Sequence, residues 1–235
     1  MLLALATDVS NSVDGTNFRL QREGYSAAIT SPRVIEAIRS GRLGRIAICY
    51  IEWSGVGEQK VLIDWTVIQD AASASRFVSE LAKKPRAYSG STSVSGAIDF
   101  ATNQIERAPF KAMRRVIDIA GDGDSSNSGR EVTLARDEAI MKGITINALL
   151  ILTQNQLFLR DPSPFGPNPS AYHTGHLEHY YRYNVIGGPS AFVMVAIDSV
   201  SFDEVIIRKF VSEITAYPAT RSVAGATKGT GQAAR

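Results

Sequence analysis

Six runs of apolar residues, each about as long as a β-strand, are spread along the chain, and most are continuous rather than alternating. They lie at about 2–7, 45–53, 60–67, 115–121, 144–152 and 191–198. Continuous apolar strands are typical of a parallel sheet that helices cover on both faces. The runs therefore predict six strands in the middle layer of an α/β fold.

Amphipathic segments separate most of these runs and predict helices. They cover 17 to about 39, 70–84, 93–108, 130–143 and 201–216. Asp70 is a candidate N-cap, Gly143 is a candidate C-cap, and Ser201 with Glu204 matches a capping box.

The stretch WSGVGEQ (53–59) joins two predicted strands and leaves no room for a crossover helix. A connection this short suits antiparallel strands, whereas parallel strands need a long crossover. The strand at 60–67 is therefore predicted to be antiparallel and to lie at an edge. The whole pattern predicts a doubly wound, mostly parallel six-stranded sheet with one antiparallel edge strand and helices on both faces, a Rossmann-like arrangement.

Residues 1–216 are predicted to form a single domain. Within it, 153–176 holds four of the nine prolines and is predicted to be a long irregular insert. Residues 217–235 have almost no large apolar side chains, which predicts a disordered tail.

Composition excludes several classes of function. Of the 235 residues, 44% are hydrophobic and 20% are charged, and the formal net charge of +2 is too small to favour nucleic acid as a partner. The single cysteine, Cys49, rules out an intrachain disulfide. No apolar run is long enough to cross a bilayer, and the first residues lack the basic region and cleavage site of a signal peptide. The oligomeric state is left open.

Small oxygen-bearing side chains stand where predicted strands end. The first strand runs into ALATDVSNS, so Asp8, Ser10 and Ser12 follow its apolar residues. Thr92 precedes a predicted helix, and Asp122 follows the strand at 115–121. An ordinary turn would explain the first group, because Asp and Ser are turn formers. However, ligands of a doubly wound sheet collect at the carboxyl ends of its strands, and hard oxygen donors suit Mg²⁺, Mn²⁺ or Ca²⁺ better than Zn²⁺.

These motifs resemble those of von Willebrand factor type A (VWA) domains over about residues 2–216. DVSNS resembles their D-x-S-x-S signature, SGSTSVSGAIDFA their second-loop threonine motif, and VIDIAGDGD the strand before their third loop. The resemblance implies a metal-ion-dependent adhesion site (MIDAS) that holds Mg²⁺, or Mn²⁺ or Ca²⁺, and accepts an Asp or Glu of a partner protein. Its ligands would be Asp8, Ser10, Ser12, Thr92 and Asp122.

Two positions depart from the VWA pattern. Gly121 stands where many members have Thr, and Ser91 stands where glycine is common, which requires a negative φ at Ser91. Other stretches, such as GRIAICYIEWSG and VIGGPSAFV, resemble an uncharacterised bacterial VWA-like subgroup that is generally expected to be exported or periplasmic.

Other residues have competing interpretations. His173, His176 and His179 lie at three-residue spacing and could form a transition-metal site, although scattered surface histidines are the more common outcome. Asp118 falls inside a buried strand and needs a partner that the sequence does not identify. Tyr180 and Tyr181 are expected to pack against the sheet.

The motifs favour a binding module over an enzyme. No Walker phosphate loop and no G-x-S-x-G nucleophile elbow is present, and the first motif lacks the second carboxylate of a D-x-D phosphohydrolase. The alternatives are a metal-dependent hydrolase that uses the same cleft, and a metal-free scaffold that binds through 153–176.

Overall fold

The computed structural model describes residues 1–123, 129–152, 173–197 and 202–216, and this part of the chain contains a six-stranded sheet. The strands are β1 (Leu2–Asp8), β2 (Ile46–Trp53), β3 (Gln59–Ile68), β4 (Arg115–Gly121), β5 (Thr145–Leu152) and β6 (Val193–Ile197). Their order in space is β3-β2-β1-β4-β5-β6, and each neighbouring pair is parallel except β2 and β3. The predicted mostly parallel sheet with one antiparallel edge strand is confirmed.

Helices cover both faces of this sheet. They are α1 (Gly15–Thr30), α2 (Pro32–Ser40), α3 (Ala71–Ala82), α4 (Val94–Glu106), α5 (Val132–Met141), α6 (His173–Tyr180) and α7 (Phe202–Thr215), with a π-helical turn at Tyr181–Val185. Leu3 and Leu5 of β1 face α1 and α7, whereas Ala4 and Ala6 face α4 and α5. Because both faces are buried, apolar residues are needed at successive positions, which explains the continuous runs.

The segment from 17 to about 39 was predicted as one helix, and this was wrong. It forms two helices, because Ser31 is extended, with φ −61° and ψ 133°, and Pro32 begins α2. Proline has no N–H to continue the helical hydrogen bonds, and its ring disfavours helical backbone in the preceding residue.

Two predicted caps are confirmed. Asp70 Oδ1 accepts a hydrogen bond from Ser73 N over 2.7 Å at the start of α3. Gly143 follows α5 with a left-handed φ of +71° and donates to Ile140 O over 2.8 Å. Glycine takes this conformation without a steric penalty, which ends the helix sharply. The capping role of Ser201 lies outside the described residues.

The insert and the tail lie mainly outside the described part of the chain. The predicted end of the insert at 176 was wrong, because α6 already begins at His173. The last proline of the insert is Pro169, so nothing in the residues that follow prevents a helix. Among the helices described, none is long and apolar enough to span a membrane.

A fully buried ionic cluster joins α7 to the sheet. Lys209 Nζ lies 2.5 Å from Asp118 Oδ1 and 2.5 Å from Glu213 Oε1. Asn147 Nδ2 donates to Glu213 Oε1 over 3.1 Å, and Tyr25 OH donates to Asp118 Oδ2 over 3.4 Å. Lys209 is therefore the partner of Asp118 that the sequence did not identify.

This cluster holds two carboxylates for one ammonium group. Burial, reinforced by the charge of Asp118, raises the pKa of Glu213 to about 7. Burial also raises the pKa of Asp118, and the two carboxylates raise the pKa of Lys209 although its burial opposes them. The cluster consequently binds a proton more readily than the same groups in the unfolded chain.

We predict that Glu213→Gln reduces the pH dependence of stability. The pKa of Glu213 is about 7 in the folded chain, above its ordinary 4.5, so its stabilising contribution is complete below pH 4.5 and is lost as the pH rises through 7. The free energy of unfolding of the wild type should fall over this range, with at most about 3 kcal/mol from this group. Urea denaturation from pH 5 to pH 8 measures the difference.

Asp203→Asn, on the exposed side of the same helix, is the matched control and should keep the wild-type pH dependence. An identical pH dependence in Glu213→Gln and the wild type would contradict the assignment.

Candidate metal centre

The carboxyl edge of the two central strands brings the predicted ligands together. Asp8 is the last residue of β1, and Asp122 directly follows Gly121, the last residue of β4. These strands are parallel neighbours, with Thr7 in register with Ala120. The first loop (9–14) and the third loop, which starts at Asp122, therefore leave the sheet side by side.

Hydrogen bonds connect the predicted residues of these two loops. Ser10 N donates to Asp8 Oδ1 over 2.7 Å, and the hydroxyls of Ser10 and Ser12 lie 3.0 Å apart. Ser12 Oγ then donates to Asp122 Oδ1 over 2.7 Å. The two serines thus bridge the two carboxylates.

Thr92 reaches the same edge from the second loop (83–93). A Cβ placed on Gly123 would lie 3.9 Å from Thr92 Oγ1, so the threonine hydroxyl borders the residue that follows Asp122. Thr92 precedes Ser93, the N-cap of α4, whose Oγ accepts from Gly96 N over 3.3 Å. The five predicted residues therefore lie at one edge of the sheet, and metal binding by them stays a prediction.

Backbone hydrogen bonds tie the second loop to its neighbours. Asn11 N of the first loop donates to Gly90 O over 2.9 Å, and Ser93 N donates to Ser54 O over 2.8 Å. In the described part of the chain, Ser190 is the residue other than glycine with a positive φ. Ser91 therefore takes the place of a common glycine without left-handed strain.

Asp8 is held in an unfavourable environment for a carboxylate. Its side chain is fully buried, and in the part of the chain that the structure describes its Oδ2 has no hydrogen-bond partner. Burial, together with the charge of Asp122, raises the pKa of Asp8 to about 7. Burial raises the pKa of Asp122 as well. Two carboxylates that resist ionisation at one place indicate a site that a cation would stabilise.

The other buried acids of the described residues show the contrast. Glu52 pairs with Arg22 at 2.6 Å, and Asp118 and Glu213 pair with Lys209. Asp8 is as buried as these three and forms no ion pair within the described residues. Because a buried charge is costly unless it is paired, Asp8 is the acid whose partner is missing from the side chains around it.

Arg86 supports the first loop, and the sequence contained no signal for it. Its Nη2 donates to Val9 O and Ser10 O over 2.8 Å each and to Val13 O over 2.9 Å. The guanidinium lies 5.2 Å from the centre of the Phe18 ring. Arg86 stands in an irregular stretch without periodicity, so only the folded chain reveals that it binds the backbone around Ser10.

A second arginine fixes the beginning of the second loop. Arg22 pairs with Glu52 and donates to Lys84 O over 2.5 Å and to Pro85 O over 3.2 Å. The other carboxylate oxygen of Glu52 accepts from Ala87 N over 2.9 Å. The loop that carries Thr92 is therefore anchored to β2 and α1.

The donor set fits a hard dication. It offers two carboxylates and three hydroxyls, all short side chains with oxygen donors, as Mg²⁺ and Mn²⁺ prefer. Within the described ranges no group of three or more His, Cys, Asp or Glu side chains could hold a metal. The candidate donor set thus combines two carboxylates with the hydroxyls of Ser10, Ser12 and Thr92.

Two of the three histidines have described side chains. His176 and His179 lie on α6 and are exposed, and the ring of His179 lies 4.2 Å from that of Tyr183. The side chain of His173 falls outside the described part. The exposure of His176 and His179 agrees with the interpretation of these residues as scattered surface histidines.

Asp14, Tyr180 and Tyr181 have defined structural positions outside the set of five candidate ligands. Asp14 is the N-cap of α1, with Oδ1 2.8 Å from both Thr16 N and Asn17 N. Tyr181 is fully buried and Tyr180 partly buried against the core, which confirms their predicted packing. Residues 124–127, which follow Gly123 in the third loop, lie outside the described part.

Comparison with known families identifies the chain. The family described as "Protein of unknown function (DUF1194)" matches residues 1–218. The chain belongs to the DUF1194 family. No curated protein matches the sequence.

Solved structures similar to this DUF1194 chain include a pilus adhesin, a mussel byssus protein and a VWA domain. The pilus adhesin SpaC from Lactobacillus rhamnosus GG is 13% identical, with a TM-score of 0.58 over 91% of this chain and 30% of SpaC. Proximal thread matrix protein 1 from the mussel byssus, with a zinc-occupied MIDAS motif, is 13% identical, with a TM-score of 0.53 over 89% of this chain and 45% of that protein. The VWA domain of SpRpn10 is 13% identical, with a TM-score of 0.56 over 88% of this chain and 94% of that domain.

These likenesses show the fold. The DUF1194 chain has a VWA-like α/β fold, as the resemblance predicted, and it spans 30% of SpaC, the adhesin. At 13% identity the comparison does not carry a partner or a metal from those proteins to this one.

We predict that a divalent cation raises the melting temperature and that Asp122→Asn abolishes the increase. At a concentration about 100 times Kd, a ligand of the folded state stabilises by about 2.7 kcal/mol, which corresponds to roughly 5–10 °C for a domain of this size. Thermal denaturation in chelator and in Mg²⁺ or Mn²⁺ measures the shift. In chelator, Asp122→Asn should melt no lower than the wild type, because it removes one of two close carboxylates.

Asp137→Asn, an exposed acid on α5, is the control and should keep the full cation effect. Equal shifts in Asp122→Asn and Asp137→Asn would argue against a cation at this edge.

We also predict that Arg86→Met loosens the first loop. The change removes the hydrogen bonds to three carbonyls but keeps an apolar stem beside Phe18, so the loss should be about 1–3 kcal/mol in the free energy of unfolding. Hydrogen exchange should become faster for the amides of residues 10–13. Arg19→Met, an exposed change on α1, should alter neither quantity, and unchanged exchange in Arg86→Met would refute the supporting role.

Proposed function

We propose that this DUF1194 chain is a metal-dependent protein-binding module of the adhesion type. Asp8, Ser10, Ser12, Thr92 and Asp122 hold one divalent cation, and an Asp or Glu of a partner protein completes its coordination. The cation supplies an electrophilic position for that carboxylate. The chain's own residues hold the five donors in place and leave one side of them accessible.

The buried and unpaired carboxylate of Asp8 is the observation that carries this proposal. Its Oδ2 has no hydrogen-bond partner among the described residues, and the neighbouring carboxylate of Asp122 raises its pKa rather than lowering it. A protein gains nothing in stability from such an arrangement by itself. A dication that binds both carboxylates removes the repulsion and satisfies the orphaned oxygen.

The charges and the exposure support an acidic partner. Three of the five donors are neutral hydroxyls, which reduce the positive charge of the ion far less than carboxylates would, so the bound ion stays electrophilic enough to accept a further anion. Asp8 and Ser10 are buried, whereas Ser12 is exposed and Thr92 and Asp122 are half-buried. The outer donors therefore face the side from which a partner can approach.

Mg²⁺ is the proposed ion, with Mn²⁺ and Ca²⁺ as the alternatives. Short hydroxyl and carboxylate donors at the ends of fixed strands suit a small octahedral ion better than a larger one with flexible coordination. The zinc-occupied MIDAS of the mussel protein supports a divalent ion in this fold and does not define the ion here.

The setting we propose is outside the cytoplasm. The structural neighbours SpaC, a pilus adhesin, and proximal thread matrix protein 1, from the mussel byssus, support this setting. The resemblance to an exported bacterial subgroup supports the same proposal.

We predict that the Ser10→Ala, Ser12→Ala double variant loses cation-dependent binding to partner proteins. The protein, immobilised on beads, is incubated with an extract of the cells that produce it, in Mg²⁺ and in EDTA. Partners should be retained in Mg²⁺, released by EDTA and recovered when Mg²⁺ is restored. Ser75→Ala, Ser79→Ala, which removes two exposed hydroxyls from α3, should bind like the wild type. Full binding by the Ser10, Ser12 variant would exclude the proposed site.

The same preparations separate the alternatives. Hydrolysis of a phosphoester that Mg²⁺ activates and Asp8→Ala abolishes would favour the hydrolase. Binding that EDTA leaves intact, and that deletion of 153–172 removes, would favour the metal-free scaffold.

A further inference from the structure

Tyr181 connects the π-helical turn to the third loop. It is fully buried, lies 58 residues from the loop in sequence, and its hydroxyl donates to Gly123 O over 3.1 Å. Gly123 is the residue directly after Asp122. A side chain outside the five predicted ligands therefore holds the backbone next to one of them.

Gly121 leaves the space that this phenol occupies. A Cβ at Gly121 would lie 2.8 Å from Tyr181 OH and 3.3 Å from Asp8 Oδ2. Gly121 is not among the described glycines with a positive φ. Glycine at this position is therefore required by the closeness of Tyr181 and Asp8, and not by the backbone conformation.

These contacts give a physical reason for the departure from the VWA pattern. Many members of that fold have Thr where this chain has Gly121, and a Thr side chain here would collide with the Tyr181 hydroxyl. The phenol takes over the volume next to Asp8 that a side chain at 121 would fill. Gly121 and Tyr181 thus form a matched pair.

The two glycines around Asp122 make this support necessary. Glycine allows more backbone conformations than other residues, so a Gly-Asp-Gly stretch holds its carboxylate only if other contacts fix it. Ser12 Oγ holds the Asp122 side chain, and Tyr181 OH holds the backbone one residue later. A metal ligand needs this kind of support, because errors of about 0.5 Å weaken coordination.

We propose that Tyr181 is a positioning residue of the metal site, which holds Gly121, Asp122 and Gly123 so that the Asp122 carboxylate meets the cation. This proposal rests on the proposed function, because it requires that a cation binds. It adds that the π-helical turn at Tyr181–Val185 is thermodynamically linked to the site. If the Tyr181 contact strengthens cation binding, the cation must strengthen the contact by the same factor.

Tyr181→Phe tests the hydroxyl alone, because it keeps the buried ring. We expect its Kd for Mn²⁺, measured by isothermal titration calorimetry, to rise about threefold to tenfold, as the loss of one neutral hydrogen bond implies. The melting temperature in chelator shows whether each variant is folded. Tyr183→Phe, on the same turn but 65% exposed, is the matched control and should keep the wild-type Kd.

Gly121→Ala tests the matched pair. Alone it should raise the Kd for Mn²⁺ more than tenfold, because the new methyl group meets the Tyr181 hydroxyl at 2.8 Å. In Tyr181→Phe the hydroxyl is absent, so Gly121→Ala should raise the Kd for Mn²⁺ by a clearly smaller factor in that background. A purely structural role for Tyr181 predicts changes in melting temperature without this coupling in cation affinity.

The outcomes separate the two proposals. Equal Kd values for the wild type and Tyr181→Phe, or additive effects of Tyr181→Phe and Gly121→Ala, would overturn the positioning role and leave the metal site intact. A wild type that binds no Mn²⁺ would overturn both. Hydrogen exchange gives an independent measure, since Mn²⁺ should slow exchange at 177–185 in the wild type and less in Tyr181→Phe.

Discussion

The burial of the Asp8 carboxylate beside Asp122 is the constraint on which the site depends. β1 is a central strand with both faces covered, so its last residue is placed in the protein interior and not in a loose turn. The pKa of about 7 expresses how unfavourable the ionised form is there. Elsewhere in the described chain, buried acids are matched with Arg22 or Lys209. In those places a cationic side chain of the protein compensates the buried carboxylate. At this edge no side chain of the described residues forms an ion pair with Asp8.

Contacts from the surrounding residues hold the carboxylates of Asp8 and Asp122 close together despite their mutual repulsion. Arg86 binds the carbonyls of the first loop, Arg22 and Glu52 anchor the second, and Tyr181 holds the third. Each support comes from a different part of the chain, and none is a predicted ligand. The cluster of Lys209, Asp118 and Glu213 fixes α7 on the face of the sheet opposite to Tyr181. Contacts that hold the loops rigidly around the carboxylates of Asp8 and Asp122 are expected at a binding site, because they reduce the reorganisation that binding requires.

The sequence was sufficient for the sheet and for placing five oxygen-bearing side chains at one edge of it, because both depend on local signals. Continuous apolar runs mark buried strands, and Asp8, Ser10, Ser12, Thr92 and Asp122 stand directly at the ends of strands or the start of a helix. The helix break at Ser31 could have been predicted from Pro32 and was missed. The contacts of Arg86 with Val9, of Lys209 with Asp118 and of Tyr181 with Gly123 could not have been predicted, since each joins residues about 60 to 90 positions apart and no periodicity marks them. Long-range contacts of single side chains become visible only when the topology places them.

The most direct measurement is the anomalous scattering of Mn²⁺ in crystals of the protein. The account predicts one strong peak at the carboxyl edge of β1 and β4, within coordination distance of the Ser10 and Ser12 hydroxyls and next to Asp8, Thr92 and Asp122. A peak beside His176 and His179 with none at this edge would contradict it. So would well-ordered crystals in which the five side chains surround no metal at saturating Mn²⁺.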